Sequence, residues 1–455
     1  MTKEEYMRRK KIEQRKQRRR RRRIKKMIRL GVLAGMLLIL LLLVVGAVSL
    51  VRFLFFREDT KENQESQPVV SEEVIQKESS TILTAGDIMM HDPMLVSNQY
   101  LHEDGTYDYH SVFKYIAGEY EAADLAVVNF ETTIADGDYT AYPRFKSPEA
   151  IATALSDNYV DLCLLANNHI YDNQTTGLMQ TIQAMEENHL LYTGVRKDTS
   201  EKNYYVTEID GIKIGIFNYV FDSGSVDGQE ISINSIPVSD EDAQRINTFN
   251  YGGLEHYLYS EIEEGLQELE TQGVEYTIAY LHWGTEYETT ENERQQNIAK
   301  ELCELGIDAL IGGHPHVVQP VDLLTNEAGT HQMVCVYSLG NHLSDQRKER
   351  IDFAPEGHTE DGLMVELILE KSDDGQVSLT GMEFIPTWVY KSGSSDNPNY
   401  YILPLNDMET LLKETADLGI ETEAKQSLAR TNAIIGEGAA KIEAALPIKA
   451  KSNEE

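Results

Sequence analysis

Two histidines one residue apart, His314 and His316, follow the apolar run Ala309-Leu310-Ile311 and the pair Gly312-Gly313. The apolar run reads as a buried strand. The glycines can bend where other residues cannot, and Pro315 stiffens the turn between the two imidazoles. A strand end that turns sharply and projects neutral imidazoles suits zinc, iron or manganese. A single His-x-His could also be two surface histidines on a loop. The other candidate ligands decide.

They stand at the ends of other apolar runs. Residues 81–85 close in Gly86-Asp87, where Asp87 is either a turn-former or a ligand. Residues 124–128 close in Asn129-Phe130-Glu131, and Asn129 and Glu131 share a face if the extended backbone continues. Residues 159–166 run into Asn167-Asn168-His169; turn chemistry accounts for the asparagines and leaves His169 without a reason. Residues 276–281 end in His282, with Glu286 close by, and 334–337, the last clear core strand, lead to Asn341-His342.

The elements that must position these residues are short apolar runs alternating with helical segments. Helical periods cover 175–188, 261–272 and 292–305, and 211–219 is a further strand candidate. Residues 221–253 form a long irregular excursion of the kind that borders a site. The alternation points to a layered α/β domain. In such domains ligands gather at the carboxyl ends of strands, so these residues can converge in one crevice. Acid, amide and imidazole together describe a site for a divalent metal, and missing thiolates argue against a finger-type structural zinc. Cys163, Cys303 and Cys335 read as small core residues.

Charge is divided sharply along the 455 residues. The net −34 combines 18 Lys/Arg against 3 Glu in 1–57 with 23 Lys/Arg against 72 Asp/Glu in 58–455. A body that acidic excludes non-specific binding of nucleic acid. The basic run before residue 30 precedes 22 uncharged, mostly apolar residues, 30–51, enough to cross a bilayer as a helix. The charge asymmetry places the N-terminus in the cytoplasm and everything after the helix outside. The apolar stretch is too long for a cleavable signal peptide, and no A-x-A-like site follows it. Residues 52–80 are a polar stalk, the main domain spans 81–390, and 391–455 form a helical extension that either packs on the body or contacts a partner.

Seven ordered pieces now carry a resemblance. They are Gly86-Asp87-Ile88-Met89, Asn129-Phe130-Glu131, Arg144-Phe145-Lys146-Ser147-Pro148, Leu165-Ala166-Asn167-Asn168-His169, His282-Trp283-Gly284-Thr285-Glu286-Tyr287, Gly313-His314-Pro315-His316 and Tyr337-Ser338-Leu339-Gly340-Asn341. Over roughly 81–345 the chain resembles the CapA family of poly-gamma-glutamate capsule synthesis proteins, itself related to calcineurin-like metallophosphoesterases. The resemblance implies a four-layer αββα sandwich of two mixed sheets flanked by helices, preceded here by one transmembrane helix. It implies Asp87 and His316 as ligands of one metal, Asn168, His282 and His314 as ligands of a second, and Glu131 as the bridging acid. His169 matches the catalytic histidine beside the phosphoryl group. His91, Asn129, Arg144 and Glu286 are expected to contact substrate.

Three departures stand out. Met89 occupies the position of a phosphoesterase ligand histidine, and His91 replaces an arginine common in relatives, as a substitute ligand or a phosphate contact. His342 replaces a common aromatic residue and reads as structural. The expected cofactor is one or two divalent ions (Mn, Fe or Zn). The expected partners are the membrane, an anionic polymer or phosphoester substrate, and other capsule synthesis membrane proteins. The expected function is metal-dependent hydrolysis in capsule synthesis or export, the alternative a metal-assisted polymer-binding component without catalysis.

Overall fold

The computed structural model describes residues 79–446 apart from 226–229, 251–254, 352–353 and 355. The basic segment 1–29, the apolar stretch 30–51 and all but the last two residues of the stalk lie outside the described residues. Among the described residues no helix is long and apolar enough to cross a membrane.

In chain order the main strands are β1 (Ser79–Ile88), β2 (Leu125–Phe130), β3 (Leu162–Leu164), β4 (Leu191–Thr193), β5 (Tyr204–Ile209), β6 (Ile212–Phe221) and β7 (Tyr276–His282). They continue as β8 (Ala309–Gly313), β9 (Val321–Thr325), β10 (Gln332–Val336), β11 (Asn341–Leu343), β12 (Asp361–Lys371), β13 (Val377–Ser394) and β14 (Asn397–Pro404). The first sheet runs β14-β13-β12-β1-β2-β3-β4, with β11 beside the end of β1. The second runs β9-β10-β8-β7-β6-β5, with the short strand Thr248–Phe249 on β6. Both sheets are mixed. β1, β2 and β3 are parallel to one another, as are β6, β7, β8 and β10, so their carboxyl ends point the same way within each sheet.

Side-chain alternation explains the layers. In β1 and β2, Ile82, Leu125 and Val127 face the second sheet and meet Ile214, Ile278, Ile311 and Val336. Their neighbours Leu83, Ala126 and Val128 face outward, onto the helices α2 (Ala150–Asp157) and α3 (Gln174–Glu187). In β7, Ile278 and Tyr280 face inward. Ala279 and Leu281 face α4 (Glu255–Thr271) and α5 (Glu293–Leu305). Central strands buried on both faces read as unbroken apolar runs, which is why these are visible in the sequence. Helix α5 starts at a capping box, Asn292 with Gln295. All three cysteines are free and buried.

The sequence expectation fails after β11. Residues 334–337 are not the last core strand: β12, β13 and β14 follow and make one flank of the first sheet. Strand β14 forms the sheet edge and β13 lies next to it, where much of β13 is only half-buried, so polar residues interrupt the apolar pattern. Residues 391–404 are therefore strand and turn, and the expected helical extension begins only at Met408. The first strand also starts at Ser79, within the expected stalk.

The last helix, α6 (Glu421–Ala445), packs on the body. Ile435 and Ile442 enter the core between the sheets. Arg430 donates to both carboxylate oxygens of buried Asp361 at 2.7 Å, and Ser427 donates to the same group at 2.6 Å. The helix lies so close to β9 that a Cβ on Gly438 would stand 1.6 Å from the Val321 carbonyl oxygen. Gly436, two residues away, has open space around its Cα. Gly436→Ala should raise the unfolding free energy by about 0.5–1 kcal/mol, because alanine is the better helix former. Gly438→Ala should lower it despite that propensity gain, as overpacking costs about 1–3 kcal/mol. Denaturant melts of the two variants with the same sign would overturn the close packing of α6.

Candidate metal centre

The carboxyl ends of strands from both sheets meet at one edge. β1 delivers Asp87, β2 delivers Asn129 and, one residue past its end, Glu131, and β3 leads into Asn167-Asn168-His169. From the second sheet β7 ends on His282 and β8 on Gly313, directly before His314. Register aligns the ends: Asp87 lies opposite Asn129 and His282 opposite Gly313. At Gly313 a Cβ would stand 2.8 Å from Asp87 Oδ1, so any larger residue would push the two sheets apart at the site.

His314 and His316 both have left-handed backbone, φ 97° and 57°. Such conformations cost a non-glycine residue about 1–3 kcal/mol and persist only where the surroundings enforce them. Here the enforcement comes from Asp87. Its Oδ2 accepts the His314 backbone N–H at 3.2 Å and stands 3.2 Å from His316 Nδ1, while Oδ1 accepts from Asn129 Nδ2 at 2.7 Å. Burial is the largest influence and pushes the Asp87 pKa up, but the hydrogen bond and charge of His316, the charge of His282 and the Asn129 hydrogen bond together bring it below the usual carboxylate value.

Glu131 is the opposite case. It is fully buried, and neither carboxylate oxygen has a hydrogen-bond partner. Oε1 stands 3.4 Å from His282 Nε2 and 3.8 Å from His316 Nε2. Burial, then the negative charges of Asp87, Glu286 and Asp172, push its pKa well above the usual range. The imidazoles shift the other way: burial brings His282 down to about 3 and His314 well below its ordinary value. His314 Nδ1 is itself buried without a partner. His282 Nε2 meets Asn168 Oδ1 at 2.8 Å.

Two groups of donors lie within 4.8 Å of one another: Asp87, Glu131 and His282, and Glu131, His314 and His316. Glu131 belongs to both. The grouping differs from the one that the resemblance implies, since His282 falls with Asp87 and His314 with His316. A buried carboxylate and a buried imidazole nitrogen without partners are costly unless a cation satisfies them. Carboxylate, amide and neutral imidazole fit a divalent metal. The residues present therefore fit the implied ion.

The remaining expected residues divide. His169 is buried beside this cluster, its Nδ1 2.8 Å from Asp172 Oδ2. Asp172 also accepts the Phe145 N–H at 2.6 Å and Asn234 Nδ2 at 3.4 Å, so the irregular excursion does reach the site's supports. Asp172 was not legible as a site residue, although an acid three positions after a histidine was the available signal. Asn167, attributed to a turn, donates to the Phe130 carbonyl at 2.9 Å and to Asn129 Oδ1 at 3.4 Å. Arg144 and Glu286 are exposed, and Glu286 reaches Glu131 only through its charge. His91 belongs to neither donor group. Met89 is buried in the apolar core. His342 is buried against Tyr120 on α1 (Ala117–Ala122), its Nε2 hydrogen-bonded to the Tyr120 hydroxyl.

Residues 81–346 match the model of the family described as bacterial capsule synthesis protein PGA_cap. The capsule biosynthesis protein CapA of Bacillus anthracis is 26% identical over 282 residues, 60% of this chain and 61% of that protein. The PGA biosynthesis protein CapA of Bacillus subtilis (strain 168) is 24% identical over 279 residues, 60% of this chain and 65% of the relative. The match thus spans less than two thirds of either relative's length. Among solved structures, a 5'-nucleotidase precursor from Thermus thermophilus shows a remote likeness, with a TM-score of 0.40, 12% identity, and coverage of 78% of this chain and 58% of that one.

Metal analysis of the purified full-length chain should find divalent ion that His314→Ala depletes and His342→Phe retains. Equal metal in both variants would overturn the assignment of His314. His342 should show itself instead in acid. Burial lowers its pKa from 6.5 to about 3, so the unfolded chain takes up a proton that the folded chain refuses. Its contribution to stability is complete above pH 6.5 and is lost as pH falls toward 3. In His342→Phe the decline of stability over that range should be shallower, measured by denaturant melts across pH.

Proposed function

The chain belongs to the bacterial capsule synthesis protein PGA_cap family, and from that premise we propose that it is a membrane-anchored, extracellular component of capsule synthesis or export with a metal-dependent hydrolytic centre. The polymer is poly-gamma-glutamate, by analogy with the two CapA relatives. The reaction class is hydrolysis of a phosphoester, or of an amide in the γ-linked polymer. The observation that carries the reading is Glu131, a fully buried carboxylate without hydrogen bonds that both donor groups share.

Asp87, Glu131, Asn168, His282, His314 and His316 would hold one or two ions, with manganese, iron and zinc the best-suited elements. A divalent ion there supplies Lewis acidity to a substrate oxygen and compensates the buried acid. The chain's own groups do the rest. Asp87 fixes the His314 backbone and the His316 ring, and Asn168 orients His282. A carboxylate can only accept, so Asp172 places a proton on His169 Nδ1 and leaves Nε2 to exchange a proton with the substrate. Asp172 then stabilises the imidazolium that forms when Nε2 takes up a proton.

A second reading keeps the metal and removes the catalysis: the centre grips polymer carboxylates within an assembly of capsule synthesis membrane proteins. The acidity of 58–455 favours it, since a body so negative repels an anionic chain unless a cation bridges them.

His169→Ala and Asp172→Asn separate the two. If the centre hydrolyses, both variants should keep their metal while turnover of a generic phosphodiester or of poly-gamma-glutamate falls by about 10²–10⁴ for His169→Ala. A wild-type chain that turns over neither substrate, in cells whose polymer assembly still needs Asn168 and His314, would leave the gripping role.

Topology has its own test. The basic run before residue 30 and the apolar stretch 30–51 support a body outside the cell. Protease added to intact cells should remove the body and leave a short membrane stub. Protection of the body until lysis would refute the location.

A further inference from the structure

We propose that His91 is not a metal ligand but a neutral hydrogen-bond donor that holds one anionic oxygen of the substrate, a phosphoryl or carboxylate oxygen, next to His169. This rests on the substrate-binding reading of the same centre and assigns the contact that the metal ligands leave open.

The tautomer carries the argument. The Asp345 backbone N–H donates to His91 Nδ1 at 3.2 Å, so the ring's proton resides on Nε2. The Asp345 backbone is itself anchored. Its carboxylate accepts from Lys391 on β13 at 2.7 Å, from the Tyr400 hydroxyl on β14, and from Arg350 five residues further along its own segment. A neutral imidazole N–H has no lone pair for a metal and one hydrogen to give. His91 Nε2 has no hydrogen bond among the described residues, and the residue, though largely enclosed, keeps some access to solvent. Burial also keeps the ring uncharged, with the pKa brought down to about 3 despite the nearby Asp345 charge.

Phe145 places this donor at the centre. The His91 ring stands edge-on to Phe145 at 5.3 Å, and the His169 ring stands edge-on to the same phenyl at 4.6 Å. His316 and His169 are among the groups whose charge His91 feels. The two imidazoles on Phe145 are in opposite states. His169 donates its Nδ1–H to Asp172 and keeps an Nε2 lone pair, whereas His91 accepts at Nδ1 and offers Nε2–H. One can move a proton while the other holds an oxyanion. Phe145 keeps the rings apart, and its backbone N–H on Asp172 ties it to the same unit.

The test uses metal-loaded full-length protein, with binding of inorganic phosphate and of glutarate measured by calorimetry. Metal content is read on the same preparation. The two probes distinguish a phosphoryl from a carboxylate partner. His91→Ala and His91→Asn should keep full metal and lose about 10–100-fold in affinity for whichever probe the wild type binds, as expected for a hydrogen bond to a charged group. His91→Gln, whose amide N–H₂ reaches the place of Nε2, should recover much of that loss, while the asparagine amide stands at Nδ1 and should not. Depleted metal in a folded His91→Gln chain would make His91 a ligand and overturn the proposal. Unchanged affinity in His91→Ala, or a wild type that binds neither probe, would overturn it as well. Because binding is read without turnover, absence of hydrolysis would count against the catalytic reading and leave this one standing.

Discussion

A carboxylate sealed from water without a single hydrogen bond is among the least comfortable groups a fold can bury. Glu131 is that group, and the structure around it is arranged to tolerate it. Three imidazoles and Asp87 surround it; burial keeps two of the rings, His282 and His314, uncharged, and such rings cannot compensate its charge unaided. Asp87 is spared the same fate only because Asn129, His316 and the His314 backbone all point donors at it. The two acids thus divide one problem. One is satisfied by the protein, and the other is left for a cation.

Holding that arrangement requires both sheets. Asp87 and Glu131 come from the first, His282, His314 and His316 from the second. The apolar contacts between Ile82, Val127, Ile278 and Ile311 bring the sheets together, and the close approach at Gly313 fixes how near they come at the site edge. Helix α6 adds a brace at the side, where Arg430 and Ser427 grip Asp361 and Ile435 enters the core. Left-handed backbone at His314 and His316 is strain held in place by this packing, which is the setting in which such strain persists.

Much of this was legible in the amino-acid order because the central strands are buried on both faces. A run such as 276–281 or 309–311 has no solvent side, so it shows as uninterrupted apolar sequence with its functional residue directly after it. The same logic explains what stayed hidden. Strand β14 is the edge and β13 lies beside it with a partly wet face, so Glu383 and Lys391 break the pattern. Asp172 was hidden for a different reason: its role depends on a turn that brings it back under His169, and spacing alone does not reveal that turn. The state of His91 was beyond the sequence altogether. It is set by the backbone of Asp345, 254 residues away, which no local pattern could connect to it.

The separation of the ligands along the chain also has a kinetic side. Asp87 and His316 are 229 residues apart, and His282 and Asn168 are 114 apart, so the centre is a bundle of late contacts. Contacts that close long loops form after local structure has been secured, and chains rich in them fold slowly. Each sheet can assemble its parallel core before the other is docked, but neither alone can present the ligand set. The ligand set is therefore complete only when both sheets are docked, and a site for an ion is among the last things this fold can offer.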